Sequence, residues 1–489
     1  MEKRERQQFD VVIVGAGVIG CGIARELSRY RVKVAVMEKK PDVGWGTSKA
    51  NSGIIHAGYA SSPGTLKARF AAPGNKIYER WTEPLSVPFQ RPGSFVCCKD
   101  QSRVEELFEL KEQGEENGVE GLEVIRDREA IFEMEPNLAS DVVAVLHAPT
   151  AGVVASYKLT VALFENAREN GVQFFFDAPL EEIDRSGEGE RNFRLSSADL
   201  ELECDFLVNA AGLNSGKISA LAGGPDFGIT PARGEYHLLD SELADCVNKI
   251  NFPLPTPQSK GILVTPAAEG SIIMGPNHES LESPSKATTL EGLNEVLQGG
   301  KKLFPDLDTT RIITNFAGLR AKADCGDFVI GPVDEVPGLI NVGGIQSPGL
   351  TGAPAISDHV VDSLEEEGLK MERDEEFVPV REPIPDFEAM DKEEKERYME
   401  EDPRAKEIVC RCEKITRAEI EEAIERGAHT LDGIKFRTRA GMGNCQGGFC
   451  TLKLVPILAE KLGVAPSEVT KRGKSSTVLD GMTDKGEGG

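Results

Sequence analysis

The stretch that decides the fold is residues 9–38, which read FDVVIVGAGVIGCGIARELSRYRVKVAVME. Its first part, Phe9–Val14, has the length and the β-branched composition of a buried strand. The pattern of Val18–Arg29 fits a helix, and Lys33–Met37 fits a second strand. This strand–helix–strand order is typical of parallel sheets that are covered by helices, so we expect an α/β fold.

The turn between this strand and this helix carries three glycines, and an acidic residue ends the second strand. Gly15 permits the tight turn, Gly17 lets the backbone approach a pyrophosphate, and Gly20 lets the helix pack closely on the strand. The helix begins at Val18, so its first amides would face the phosphates. Glu38 would accept hydrogen bonds from a ribose. The pattern predicts a bound dinucleotide but does not decide between FAD and NAD.

Three further segments favour FAD. The polar loop 47–53 follows the βαβ unit, and the turn 209–212 follows an apolar strand. The glycine-rich stretch 343–351 precedes a helix, whose N-terminus would stabilise negative charge on a reduced flavin. Within these segments we expect cofactor contacts from Thr47, Ser48, Asn51, Ser52, Gly53, Ala211, Gly212, Gly344, Gly349, Leu350 and Thr351.

The chain has 489 residues, a net charge of −25 and a pI near 4.8. Its length fits roughly two or three domains. An acidic surface repels phosphate backbones, so we expect no nucleic-acid binding and at most peripheral membrane contact. The sequence contains no apolar run of about 18 residues, and glycines interrupt the N-terminal stretch that mimics a signal peptide. We therefore expect a cytoplasmic protein, which a partner could hold at the inner face of the membrane.

Four of the ten cysteines cluster towards the C-terminal end. Cys410 and Cys412 are separated by one residue; Cys445 follows after 32 intervening residues, and Cys450 lies five positions further on. In a reducing cytosol such a cluster indicates metal binding rather than disulfides. Two close pairs of thiolates suit either zinc or a 2Fe–2S cluster. The glycine-dense loop around the second pair could donate backbone N–H groups to sulfur.

Residues 9–365 resemble the D-amino-acid-oxidase-like FAD oxidoreductases, and within them the glycerol-3-phosphate dehydrogenases and L-2-hydroxyglutarate oxidases. The matching segments are GAGVIG with Glu38, then NSGIIHAG at 51–58, RGEY at 233–236 and FAGLR at 316–320. The resemblance implies that FAD is the cofactor, and it places Leu180 where a backbone amide meets the adenine. Residues 408–460, with their CxC pair, resemble the bacterioferritin-associated-ferredoxin-like 2Fe–2S domain. That resemblance implies that the four clustered cysteines bind a 2Fe–2S cluster.

These features predict an α/β fold class, or α+β for the chain as a whole. A Rossmann-type FAD-binding domain would be interleaved with an antiparallel-sheet substrate domain, and a small helical 2Fe–2S domain would follow. We expect the oxidoreductase to span 9–365. Its FAD-binding parts would be 9–80, 150–225 and 325–365, and its substrate-binding parts 81–149 and 226–324. A charged linker would fill 366–407, the 2Fe–2S domain 408–465, and a disordered tail 466–489.

Oxidising an alcohol with a flavin requires a base for the hydroxyl proton and, for an anionic substrate, a cationic group that binds it. His56 follows the flavin-side loop and is the candidate base. Arg320 and Arg233 could each bind a phosphate or carboxylate bidentately. Tyr236 is a further candidate, but strand alternation places Arg233 and Tyr236 on opposite faces unless the strand bulges. The histidines at 147, 278, 359 and 429 are expected to be incidental.

We therefore expect an FAD-dependent dehydrogenase that oxidises sn-glycerol 3-phosphate to dihydroxyacetone phosphate. Its electrons would pass through the 2Fe–2S cluster to a quinone or to a redox partner protein, for example a second flavoprotein subunit. An oligomer or a hetero-complex is expected. One alternative is a dehydrogenase of 2-hydroxy acids such as L-2-hydroxyglutarate, or of amino acids. Another is a subunit that only transfers electrons and performs no catalysis.

Overall fold

The computed structural model describes residues 6–185, 191–256 and 261–481. These residues form two compact units. The first unit contains the chain up to Lys39 and the range Val43–Arg381. The second contains Lys40–Asp42 and the described chain from Glu382 onward.

The first unit is built around a largely parallel sheet. The strand Val11–Val14 lies between Val34–Met37 and Phe206–Asn209, and all three run in parallel. Every residue of Val11–Val14 is buried, which is why the strand is apolar throughout and does not alternate with polar residues. The full strand order of this sheet is Gln173–Phe175, Val34–Met37, Val11–Val14, Phe206–Asn209, Leu339–Gly343 and the antiparallel edge strand Val329–Pro332. The sheet confirms the α/β fold class.

Helix Val18–Leu27 packs beside this sheet and is buried along its whole length. Helices Ser156–Glu169 and Gly349–Glu366 pack against it. The remaining helices of the first unit are Leu66–Lys76, Glu79–Thr82, Glu105–Glu116, Arg128–Met134, Ser215–Leu221 and Leu290–Leu303.

A second large sheet is mainly antiparallel and is centred on two long strands. Ile229–Leu239 pairs with Ile312–Ala323 along nearly its whole length. The other strands follow the order Glu279–Ser280, Ile229–Leu239, Ile272–Met274, Val264–Pro266, Ile250–Pro253, Ser94–Cys98, Ala144–Ala148 and Glu123–Ile125. Two smaller sheets complete the unit, one of Arg6–Gln8, Glu201–Cys204, Phe193–Ser196 and Glu182–Arg185, the other of Ile54–Ile55, Gly152–Val154 and Phe89–Gln90.

The second unit is small and helical. A two-stranded ladder pairs Ile408–Cys410 with Ile415–Thr416. Side chains such as Ile420, Ile434 and Leu458 fill its apolar core. Its helices are Lys392–Glu401, Arg417–Glu425, Leu431–Thr438 and Thr451–Leu462. Helix Lys392–Glu401 buries none of its residues, in keeping with the charged composition of the segment that precedes the cysteines.

The expectation of a disordered tail over 466–489 is wrong for residues 466–481. Pro466–Glu468 forms a 3-10 turn, and Val469 is buried in the core of the second unit. Thr470 bridges Thr477, and its carbonyl accepts a hydrogen bond from Leu431 N–H. Val469, with the partly buried Val478 and Leu479 packed against the same core, therefore anchors a segment whose average composition is polar. The rest of the predicted tail, 482–489, lies outside the described residues.

No helix in the described parts of the chain combines the length and the apolar character that crossing a bilayer requires.

Candidate active site and cysteine site

The turn after the central strand requires glycine at two of its predicted positions. Gly15 has φ +108°, and a Cβ on it would lie 2.5 Å from the carbonyl oxygen of Ala210. A Cβ on Gly20 would lie 1.9 Å from the carbonyl oxygen of Gly15. The first glycine is thus needed for backbone conformation and space, and the third for close packing of the helix on the turn.

The start of the following helix has the form expected of a pyrophosphate site. Gly17 is the N-cap and provides no side-chain cap, while Val18 N–H donates to Ser48 Oγ at 2.9 Å. Glu38, at the end of the next strand, accepts from Ala16 N–H through Oε2 at 2.9 Å. A carboxylate therefore lies directly beside the glycine turn, where a ribose hydroxyl could also reach it.

Loop 47–53 is tied both to this helix and to the antiparallel sheet. The Asn51 amide donates to the carbonyls of Thr47 and Ser48 and accepts from Gly53 N–H. Thr47 Oγ1 donates to the carbonyl of Leu319 at 2.6 Å. These bonds join four of the loop's predicted cofactor contacts, Thr47, Ser48, Asn51 and Gly53, and the fifth, Ser52, lies between them in the sequence.

The predicted cofactor contacts Ala211 and Gly212, which follow the strand Phe206–Asn209, lie against the same glycine turn. Ala211 Cα would be 3.2 Å from a Cβ on Gly15, so the two turns touch through their backbones. Gly212 follows with φ +57°, and a Cβ on it would meet no atom within 4 Å. Leu180 lies half-buried against the apolar core on one face of the parallel sheet.

The glycine-rich stretch near the end of the first unit leads into a helix that starts at Gly349. Gly344 has φ +66°, and a Cβ on it would lie 2.7 Å from the Ala323 side chain. In the first turn of the helix, Thr351 Oγ1 accepts from His56 N–H at 2.9 Å. The Leu350 carbonyl accepts from a tyrosine hydroxyl. The candidate base is therefore attached through its backbone to the helix N-terminus that we expect near the flavin.

His56 is half-buried, and its ring is held by polar and aromatic neighbours. Its Nε2 lies 3.2 Å from Ser347 Oγ, and its ring centroid lies 5.8 Å from that of Phe252. The Asn75 amide donates to its carbonyl at 3.0 Å. A neutral imidazole in this position can exchange a proton with a hydroxyl group beside it.

Arg320 and Tyr236 come together on one face of the long strand pair. Tyr236 is opposite Phe316 in the register, and their rings stack with centroids 4.7 Å apart. Burial raises the pKa of the Tyr236 hydroxyl, while the nearby Arg320 charge and its hydrogen bond act in the opposite direction. Nη1 of Arg320 lies 2.9 Å from Nδ1 of His278.

This face of the strand pair contacts loop 47–53. A Cβ on Gly318 would lie 1.9 Å from the carbonyl oxygen of Ala50. Gly318 is in register with Gly234, two positions from Tyr236, so these side chains share one face. Arg320 and Tyr236 thus belong to the same side of the sheet as loop 47–53, the loop that leads to His56.

Arg233 lies on the opposite face and is not brought together with this group. It pairs with Leu319, and no bulge interrupts the ladder between Arg233 and Tyr236. Its Nη2 forms an ion pair of 2.5 Å with Glu279, and its Nη1 donates to the carbonyl of Ala287. Its charge is therefore already compensated by a carboxylate.

His278, Ser347 and Phe252 are neighbours of the candidate residues that sequence reasoning did not select. His278 was expected to be incidental, but it contacts Arg320. The preceding residue, Asn277, accepts from Glu235 N–H through its side chain, which fixes this turn beside the strand. The sequence held only a weak signal for His278, namely a polar Asn-His pair after an apolar strand.

The four clustered cysteines form two pairs in the second unit. A hydrogen bond from the Cys450 thiol, together with backbone N–H groups of Gly441 and Glu413, lowers the pKa of Cys410 to about 6. Cys412 donates its thiol hydrogen to Cys445. Among the described residues, no three His, Cys, Asp or Glu side chains lie close enough together to hold a metal ion.

The chemistry of this donor set fits an iron–sulfur cluster. Backbone N–H groups of Phe449 and Gly447 lower the pKa of Cys445, as does the hydrogen bond from Cys412. Such contacts stabilise one thiolate of each pair, while the pKa of its hydrogen-bonding partner, Cys450 or Cys412, is raised. Binding of a metal displaces the remaining thiol protons, so the two pairs would supply the four thiolates of a 2Fe–2S cluster. The first unit likewise fits FAD, because glycines form the turn at the helix start, where the backbone can approach a pyrophosphate, and the Glu38 carboxylate lies beside that turn.

Comparisons with known proteins agree with both cofactors. Residues 10–363 match the family model described as FAD dependent oxidoreductase. Residues 408–460 match the BFD-like [2Fe-2S] binding domain, which decides for 2Fe–2S over zinc. The chain is similar to a glycerol 3-phosphate dehydrogenase of Caloramator mitchellensis, with 43% identity over 97% of this chain and 99% of that protein.

Other relatives match about three quarters of the chain. A glycerol 3-phosphate oxidase of Mycoplasma genitalium is 32% identical over 73% of this chain and 95% of its own length. The structure of dithionite-reduced L-alpha-glycerophosphate oxidase from Mycoplasma pneumoniae with FAD bound superimposes with a TM-score of 0.72. That structure is 27% identical and covers 77% of this chain and 98% of its own. The chain therefore belongs to the family of FAD dependent oxidoreductases, and it carries in addition a BFD-like [2Fe-2S] binding domain.

Proposed function

We propose that the protein is a dehydrogenase that oxidises sn-glycerol 3-phosphate to dihydroxyacetone phosphate. The oxidation removes a hydride from C2 and a proton from its hydroxyl group. Bound FAD supplies the two-electron acceptor for this chemistry, and the 2Fe–2S cluster supplies a one-electron carrier. The names of the similar dehydrogenase and oxidase support this choice of substrate.

The observation that carries the proposal is the electrostatic state of Arg320. Its contacts are with His278 and Tyr236, and it forms no ion pair with a carboxylate in the described chain. In a chain of net charge −25, a half-buried guanidinium that pairs with no carboxylate attracts an anion to its own position. A phosphate matches its two parallel N–H groups.

His56 completes the arrangement as the group that accepts the hydroxyl proton. Its Nε2 faces Ser347, and its backbone is fixed at the helix N-terminus by Thr351. Loop 47–53 connects this position with the strand that carries Arg320, since Thr47 bonds to Leu319. The substrate would thus be bound through its phosphate by one element and deprotonated at its hydroxyl by the other.

We propose further that the electrons leave through the cysteine site to a redox partner protein or a quinone. A second carrier on the same chain supports transfer to an acceptor other than oxygen. Each oxidation releases two electrons, and a 2Fe–2S cluster passes them on singly.

An anaerobic substrate screen tests the proposal. Purified protein is mixed without oxygen with sn-glycerol 3-phosphate, L-2-hydroxyglutarate or L-proline, and the flavin absorbance near 450 nm is followed. We expect rapid bleaching with glycerol 3-phosphate alone, followed by an electron paramagnetic resonance signal of the reduced cluster. Bleaching by L-2-hydroxyglutarate instead would replace the substrate assigned here, and no bleaching by any of the three would favour a pure electron-transfer subunit.

A further inference from the structure

Two large apolar side chains are exposed beside the cysteine site. Phe449, 79% exposed, immediately precedes Cys450, and Leu452, 68% exposed, is the second residue of the following helix. Cys412 is exposed as well, so the cysteine group reaches the protein surface. Burying an aromatic and an aliphatic side chain is favourable, and exposed apolar groups next to a redox centre indicate a contact surface.

Two exposed cationic side chains lie next to these apolar residues and the cysteines in the sequence. Arg411 and Lys453 are both exposed, and neither forms an ion pair with an acidic side chain in the described parts of the chain. The start of helix Thr451–Leu462 adds the positive end of its dipole. By contrast, neighbouring Lys414 is compensated by Glu388. A locally basic area in a chain of net charge −25 attracts an acidic partner.

We propose that Arg411, Phe449, Leu452 and Lys453 form a docking surface for an electron-accepting protein. The partner's contact area would be apolar at its centre and acidic at its edge. One electron passes from the reduced 2Fe–2S cluster to a one-electron centre of the partner, which is reduced as the cluster is oxidised, with no bond made and no proton moved. This inference rests on the proposed function only for the direction of electron flow.

A membrane of anionic lipids fits this surface less well. Binding in a bilayer interface requires a helix with a long apolar face and a strongly basic opposite face. On the helix that starts at Thr451, the exposed apolar contribution near the cysteines is Leu452, and the helix carries Glu460 near its end. A compact apolar centre with a short basic edge is the anatomy of a protein interface.

The test uses the complete protein with both cofactors and two small probe proteins, acidic rubredoxin and basic cytochrome c. The enzyme is reduced with dithionite and desalted, so the result does not depend on the substrate assignment. Electron transfer to each probe is followed by stopped-flow absorbance, and binding of oxidised rubredoxin to the oxidised enzyme by isothermal titration calorimetry. We expect rubredoxin to bind and to be reduced faster than cytochrome c at low salt, with the preference lost at high salt.

Three variants locate the surface. Phe449→Ser with Leu452→Ser, and separately Arg411→Gln with Lys453→Gln, should each weaken rubredoxin binding about tenfold or more. Leu290→Ser, which removes an equally exposed leucine (72%) from the first unit, is the control and should change nothing. Iron content and reduction of a neutral benzoquinone establish that each variant keeps its cluster.

Several results would overturn the inference. The first is rubredoxin binding that stays unchanged in both double variants. The second is faster electron transfer to cytochrome c than to rubredoxin. The third is sedimentation with phosphatidylglycerol vesicles that the apolar double variant abolishes. A self-association in analytical ultracentrifugation that the same variant abolishes would assign the surface to a second copy of the chain. Because reduction is chemical, failure of the substrate assignment would leave all of these measurements interpretable.

Discussion

Nη1 of Arg320 lies 2.9 Å from Nδ1 of His278, so this guanidinium is held in place by a group other than a carboxylate. On the other face of the same strand pair, Arg233 forms an ion pair with Glu279. The two arginines are separated by one register position, since Arg233 pairs with Leu319. The charge of Arg233 is therefore compensated by a carboxylate, whereas Arg320 forms no ion pair among the described residues, which is the basis for the first prediction.

Arg320→Met should weaken substrate binding strongly. The change removes the charge and keeps a side chain of similar length. We expect KM for sn-glycerol 3-phosphate to rise about a hundredfold or more, because each hydrogen bond to a charged group contributes about 1.5–3 kcal/mol and the guanidinium can make two. FAD content should not change, and steady-state kinetics measure the effect.

Arg311→Met is the matched control for this prediction. Arg311 immediately precedes the same strand and forms an exposed ion pair with Glu242. Because exposed ion pairs contribute little, KM should stay within about twofold of wild type. A wild-type KM in Arg320→Met would show that the phosphate is bound elsewhere.

His56→Ala should slow the chemical step. A positioned base contributes about 10²–10⁴ in rate, so we expect flavin reduction by saturating substrate to slow by that factor. Added imidazole should restore part of the rate, which a purely structural role would not allow. His147→Gln, at a half-buried histidine packed on Phe95, is the control and should keep the wild-type rate. Stopped-flow absorbance measures both; an undiminished rate in His56→Ala would remove the histidine from the mechanism.

The parts of the fold that depend on local sequence were predictable. Gly15 is required by its own φ of +108°, and Gly20 by its contact with the Gly15 carbonyl; the same short segment contains the strand. Strand alternation alone separated Arg233 from Tyr236. In each case the deciding interaction joins residues that are close in the sequence, or it follows from the geometry of a single strand.

The parts that depend on distant contacts were not predictable. The position of His278 is fixed because Asn277 bonds to Glu235, 42 residues earlier in the chain. Val469 is buried because it meets a core assembled from several helices, although its own segment is polar. Neither contact leaves a periodic pattern in the sequence, so composition suggested an incidental histidine and a disordered tail.

Gly318→Ala should reduce FAD binding. A Cβ at this position would lie 1.9 Å from the Ala50 carbonyl oxygen, so the strand and loop 47–53 must separate. Overpacking of this kind costs about 1–3 kcal/mol, which corresponds to roughly tenfold or more in affinity for a ligand held by the loop. Gly46→Ala is the control, because a Cβ there meets nothing within 4 Å. FAD per chain after dialysis is the measurement; equal FAD content in both variants would contradict the expected coupling.

Glu421→Gln should make the second unit less stable in a pH-dependent way. Burial alone would raise the pKa of Glu421, but hydrogen bonds from Arg417, Lys461 and Arg404 outweigh it and lower the pKa to about 2 from its ordinary 4.5. Because the pKa is lower in the folded state, the stabilisation is complete above about pH 5 and is lost as the pH falls towards 2. Allowing for solvent screening, we expect a loss of about 1–2 kcal/mol in the free energy of unfolding at pH 7.

Urea-induced loss of the visible circular dichroism of the cluster reports this stability. The difference between wild type and Glu421→Gln should shrink as the pH is lowered from 5 to 3. Glu425→Gln removes an exposed carboxylate on the same helix that pairs with Lys461, and it should have a small effect at every pH. A difference that stayed constant with pH would show that the ionised carboxylate is not the stabilising species.

Cys412→Ser should remove the 2Fe–2S cluster and leave substrate oxidation intact. Cys412 is exposed and bonds to Cys445, so its loss breaks one thiolate pair without removing a side chain from the core. We expect the iron content to fall severalfold and the cluster's electron paramagnetic resonance signal to disappear, because a serine hydroxyl is a poor substitute for a thiolate. Flavin bleaching by sn-glycerol 3-phosphate should persist, since His56 and Arg320 belong to the first unit.

Cys325→Ser, at another exposed cysteine, should keep full iron content. Full iron in Cys412→Ser would exclude this cysteine as a ligand, and loss of bleaching would show that the two redox sites depend on each other.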